Sequence, residues 1–164
     1  MQASQSIIII LLVSNLIATV WFGLDGKSSP VISQAEKSAS HELPSAVSSE
    51  IRDDLYAKFA KAFNAGDYDA LYDMFGPAAK AQFTKESAEK EFKKLIKFFK
   101  AVEGGAFTHS ELAGTQGNTN IYNLFYAVTL PNNSELGDHA TLKITIAVQG
   151  ADYQIYGIRL NTVS

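Results

Sequence analysis

Three carboxylates, Asp67, Asp69 and Asp73, fall within seven residues of one another, and neighbouring carboxylates whose pKa values are driven apart can serve as a general acid and a general base. Helical spacing puts Asp69 and Asp73 on one face. The same positions have a structural use. Asp67 follows Asn64-Ala65-Gly66 and precedes an apolar-periodic run, where an acid caps a helix and its neighbours meet the positive end of the dipole. That use accounts for all three acids. His109 and His139 each stand alone, without a second ligand at metal spacing, so no metal site is expected. There is no G-x-S-x-G elbow and no cysteine, which removes the serine-elbow and thiolate nucleophiles, disulfides and a lipid-modified cysteine. Gly104-Gly105 and Gly114 to Gly117 lack the lysine of a phosphate loop. No catalytic residue and no cofactor is expected from these motifs.

The elements that must position these groups read as follows. A helix begins at Ser48 or Ser49, with Ile51, Leu55, Phe59, Ala62 and Phe63 at helical spacing, and Asn64, Ala65 and Gly66 stop it. Asp67 opens a second helix, with Tyr68, Leu71, Tyr72 and Phe75 on its apolar side, ended by Gly76-Pro77. Residues 78–83 form one irregular turn, and Thr84 caps a third helix from Lys85 to Glu103, halted at Gly104-Gly105. Its buried stripe is Ala88, Phe92, Leu95, Ile96, Phe99 and Val102. The period then becomes alternating, and four strands are predicted over residues 106–115, 120–130, 139–149 and 153–163. Short turns make neighbouring strands antiparallel. The fold class is α+β, N-terminal helices on a four-stranded meander.

Residues 1–24 form a separate region, in which Ile7 to Leu24 is an uncharged apolar run. As a helix it is just long enough to cross a bilayer, with Trp21 and Phe22 at headgroup level. It reads as a membrane anchor; the alternative is a signal peptide cleaved after Ser33-Gln-Ala35. Residues 25–49 are serine-rich with Pro30 and Pro44 and no apolar period, a flexible linker. The globular domain is then 50–164. With a net charge of −3 and a pI near 5.6, the chain lacks the basic footprint of a nucleic-acid binder. Lys90, Lys93, Lys94, Lys97 and Lys100 do stripe the outer side of the third helix, where a solvated face is the plain reading and an acidic partner or anionic lipid the functional one.

The helix corner FNAGDYDALYDMF from Phe63 to Phe75, Pro77, TKES from Thr84 to Ser87, and the last strand YQIYGI beginning at Tyr153 together resemble the nuclear transport factor 2-like superfamily. Its cone is shared with ketosteroid isomerase and scytalone dehydratase. Within it the chain resembles a bacterial branch of unknown function whose members are often exported or tethered, and the resemblance covers Ile51 to Val163. Tyr153 stands where such domains often have tryptophan, and Gly76 where serine is common.

This resemblance implies a cone whose helices close over the sheet and can leave an apolar pocket, lined by Tyr56, Phe59, Phe63, Tyr72, Phe92, Phe99, Tyr126 and Tyr156. Simple packing of a core would use the same aromatics. An isomerase or dehydratase of small apolar molecules would need an acid or base inside, and Tyr56, Tyr126, Asp73, His109 and Arg159 are the available groups. No acid/base pair of the enzymatic relatives matches residue by residue. On the outer sheet face, alternation places Phe125, Tyr153 and Ile155 as a candidate homodimer face. The expected function is a binding or interaction domain, tethered at a bacterial membrane on its extracytoplasmic, periplasmic side or secreted after cleavage. Its expected partners are the membrane, a second copy, and a small apolar ligand or envelope protein.

Overall fold

A computed structural model describes residues 42–131 and 137–162. The anchor expected over residues 1–24 and most of the linker expected over 25–49 lie outside the described residues. Among the described residues, no helix is long and apolar enough to cross a membrane.

A single 3-10 turn, Ser45–Val47, leads into helices α1 (Ser49–Ala65), α2 (Tyr68–Asp73), α3 (Pro77–Lys80) and α4 (Lys85–Phe99). Strands β1 (Gly104–Gln116), β2 (Thr119–Thr129), β3 (His139–Gln149) and β4 (Asp152–Thr162) follow as an antiparallel sheet in the order β1-β2-β3-β4. The α+β class and the meander are therefore as the sequence predicts. The N-caps of α1, α2 and α4 are chemically explicit. The hydroxyl oxygens of Ser48 and Thr84 accept from the Ile51 and Ser87 amides at 3.3 and 3.1 Å, and the Asp67 carboxylate accepts from Ala70 at 2.9 Å. Gly66 ends α1 in the left-handed conformation at φ 63°.

Alternation gives β2 and β3 an inner row, Tyr122, Leu124, Tyr126 and Val128 with Leu142, Ile144, Ile146 and Val148, all buried. The helices answer with Phe59, Phe63, Leu71, Phe92, Leu95 and Phe99. Each such side chain contributes on the order of 1.5–3 kcal/mol by leaving water.

Three departures from the sequence reading have physical causes. The packed unit starts before residue 50, because Val47 is only 2% exposed and sits in the core. Helix α4 ends at Phe99 rather than Glu103, and Gly104-Gly105 opens β1 instead of closing the helix. The reason is Asn64, whose side-chain amide donates to the Val102 carbonyl and whose oxygen accepts from the Val102 amide, both at 2.8 Å. Val102 is 2% exposed, so these backbone groups would otherwise lack partners. The third departure is a bulge in β4. Gly157 lies opposite Thr145 and Ile155 opposite the next residue, Ile146, leaving Tyr156 as the extra residue. A bulge reverses alternation. Ile155 and Tyr153 therefore do not lie on the outer face with Phe125; they turn to the helix side, where Ile155 is 4% exposed and bridges Phe75.

Asn64→Ala should lower stability by about 2–3 kcal/mol by stranding both Val102 groups. Asn64→Asp, which keeps only an acceptor, should recover less than half of that loss. Urea unfolding of the two variants checks this, and unchanged midpoints would contradict the assignment.

Candidate functional site

The bulge has a second effect. It sets Tyr153, Gln154 and Ile155 against the α1–α2 corner, and between them runs a groove of about 760 Å³. Leu55 and Ala62 from α1 and Ile155 from β4 form its buried floor, while Ala65, Ala70 and Met74 make the walls. The alanines are the reason the space exists, since larger side chains at the same positions would fill it. The far end is closed by the chain's passage through Gly76, whose amide donates to the Ile155 carbonyl at 2.9 Å. A Cβ on Gly76 would stand 2.5 Å from Cβ and Oε1 of Gln154, so the close approach requires glycine.

Charges stand on the rim. Lys58 pairs with Asp54 at 2.6 Å, and that hydrogen bond holds its pKa above the usual lysine value. Asp73 pairs with Lys80 at 3.2 Å, and the Asp67 carboxylate is occupied by its cap. Lys61 has no ion-pair partner among the described residues. An apolar floor with a free ammonium at its edge can hold an apolar body that carries an anionic group. It does not assemble an acid/base pair.

The expected pocket residues lie elsewhere. Phe59, Phe63, Phe92, Phe99 and Tyr126 are buried in the core, with Phe59 and Phe63 rings 5.2 Å apart. Tyr72 is half-buried, edge-on to Phe83 at 5.9 Å, and Tyr156 is half-buried at the bulge. Tyr56 stacks on Tyr126 at 5.8 Å, and the Tyr126 hydroxyl donates to the Arg52 carbonyl at 3.0 Å. Burial pushes the pKa of both tyrosines up, in Tyr126 despite the nearby Arg52 charge. Gly105 makes room for Tyr56, because a Cβ there would stand 2.4 Å from the Tyr56 ring.

The remaining acid/base candidates are dispersed. Asp73 is on the groove rim. His109 stacks on Phe125 at 4.5 Å, with Glu111 at 3.7 Å, on the outer face, where Arg159 lies opposite Lys143. Partial burial, and then the Arg159 charge, hold the Lys143 pKa below its usual value. Among the described residues no three His, Cys, Asp or Glu side chains gather as a metal site. Sequence reasoning missed the groove. Its signal was weak: alanines at 62, 65 and 70 around the Gly66 corner, and a bulge that no residue type announces.

Comparison with protein families matches residues 53–157 to the NTF2-like N-terminal transpeptidase domain. No curated protein matches the chain. Solved structures that resemble it include a DUF4783 family protein from Bacteroides ovatus, 15% identical over 66% of this chain and 94% of that one, TM-score 0.41. Another is Aln2 from a Streptomyces species, 14% identical over 74% and 94%, TM-score 0.45. A third, an NTF2-like family protein from Streptomyces avermitilis, is 10% identical over 71% and 96%, TM-score 0.44.

The tyrosine pair carries a pH prediction. Their pKa values are raised above the ordinary 10.0, so the stability they contribute is complete below pH 10.0 and is lost as pH rises through the folded-state values. Thermal melts should therefore fall with increasing pH above that point, and Tyr126→Phe should flatten the fall. An unchanged slope in the variant would contradict the assignment.

Proposed function

The chain belongs to the NTF2-like N-terminal transpeptidase domain family, and from that premise we propose that it is a membrane-tethered binding domain without catalysis of its own. Its ligand is an apolar or amphipathic molecule, or a partner segment of that character, held in the groove between α1, α2 and β4. The observation that carries this reading is the contrast between two spaces. The centre of the domain is filled by Phe59, Phe63, Leu71 and Tyr126, each 1% exposed or less, while the alanine-walled groove beside it stays open. A family named for an N-terminal domain of transpeptidases is in keeping with a part that accompanies a catalytic unit.

With residues 1–24 read as an anchor, the resemblance to exported and tethered domains favours the extracytoplasmic side of a bacterial membrane, against the weaker pull of Lys27 and Lys37 toward a cytoplasmic one. A reporter fused at the C-terminus, active only outside the cytoplasm, should be active; activity of a cytoplasm-only reporter would reverse that orientation.

Groove binding is tested on the fragment from residue 42 onward with anilinonaphthalene sulfonate, an apolar probe carrying one anion. Nuclear magnetic resonance shifts should concentrate at Leu55, Ala62, Met74 and Ile155. Ala70→Trp, which fills the groove, should weaken binding at least about tenfold, a loss on the order of 1.4 kcal/mol. Shifts centred on Phe59, Phe63 and Phe92, or binding indifferent to Ala70→Trp, would contradict the assignment.

A further inference from the structure

The outward side of α4 concentrates charge against the trend of the chain. Residues 85–100 carry six lysines and three glutamates, whereas the whole chain has a net charge of −3. Part of this charge is neutralised locally: Lys85 pairs with Asp69, Lys93 with Glu89 and Lys94 with Glu91. Lys90, Lys97 and Lys100 have no ion-pair partner among the described residues, and all three are exposed. At 100° per residue Lys90, Lys94 and Lys97 share one face of the helix. Beside them stands Phe98, one of the two exposed large hydrophobic side chains among the described residues, at 36%.

The end of this face is strained. The Ala101 amide donates to the Phe99 carbonyl at 2.8 Å around Lys100, whose φ is 65° and ψ −66°. That is a γ-turn of the rare, strained hand. Lys100 is the one non-glycine residue with positive φ among the described residues, at a helix end where glycine is the usual solution. Strain of this kind persists where the surroundings over-determine it, and here the Asn64–Val102 pairing does so two residues later.

We propose that this face, Lys90, Lys94, Lys97, Phe98 and Lys100, docks the domain on an anionic lipid surface, with the lysines at the headgroups and Phe98 dipping among them. The inference rests on the membrane-tethered reading above. A helical face on which Phe98 stands beside the unpaired ammonium groups of Lys90, Lys97 and Lys100 suits a flat anionic bilayer. The hollow at the N-terminal end of this face, from Thr84 to Lys94, is lined by Glu86 and Glu89 as well as by lysines, which disfavours an acidic partner there.

The test uses the full chain, which has no native cysteine, carrying Ala101→Cys or Asn118→Cys labelled with an environment-sensitive fluorophore. Vesicles are phosphatidylcholine alone or mixed with phosphatidylglycerol. The expected result is a blue shift at position 101 but not at 118, only with phosphatidylglycerol, reversed by high salt. The combined variant Lys90→Gln, Lys97→Gln and Lys100→Gln should abolish it. Equal emission with both vesicles, or a shift that the combined variant keeps, overturns the proposal and leaves an acidic protein as the partner of this face.

Flotation in high salt reports the tether independently. A chain that floats without the shift contradicts the docking face alone. A chain that does not float contradicts the anchor. Its face is then read from added vesicles at low salt, where the combined variant should bind about 100-fold more weakly; equal binding overturns the proposal. Lys100→Gly should raise the melting temperature while reducing the shift, and an undiminished shift would remove Lys100 from the face.

Discussion

The rest of the domain depends on the place where the helical half is tied to the last strand. Gly76 passes so close to Gln154 that no side chain fits, its amide is bonded to the Ile155 carbonyl, and Phe75 bridges Ile155. This junction covers part of an edge strand that would otherwise present unpaired backbone groups. It also fixes α2 and α3 over the sheet. The bulge at Tyr156 is what lets Ile155 face Phe75 at all. Without that extra residue Ile155 would project to solvent and the corner from Gly66 to Gly76 would have nothing to pack on.

From this tie follow both the closed centre and the open groove. Protein interiors pack to crystal-like density, and here aromatic and leucine side chains from α1, α2, α4 and the inner sheet rows reach that condition. The space that remains lies outside the core, where alanines face the diverted start of β4. Groups able to move protons are spread by the same geometry over three places: the core tyrosines, the groove rim, and the outer face with His109 and Arg159. The paired Val102 backbone plays the matching part at the C-terminal end of α1, where Asn64 forces α4 to stop and hands the chain to β1.

Much of this order was legible. Periodicity found the three longer helices and the four strands, and cap residues marked most boundaries, because hydrophobic phase and capping are local properties. The corner from Phe63 to Phe75 and the last strand pointed to the superfamily that the family comparison supports. What was not legible was long-range. Asn64 looked like a helix stop, and only the fold brings Val102 to it across 38 positions. Tyr153 and Ile155 alternate correctly with the outer face until one extra residue reverses the phase. The aromatics predicted to line a pocket are equally suited to filling one, and side-chain type does not separate the two.

The central claim is that the apolar binding space of this domain is the groove beside Ile155 and not its centre. Crystals of the domain pressurised with xenon, an atom that enters dry apolar cavities, test this directly. The account predicts xenon against Leu55, Ala62 and Ile155. Xenon among Phe59, Phe63 and Phe92, with the groove unoccupied, would contradict it.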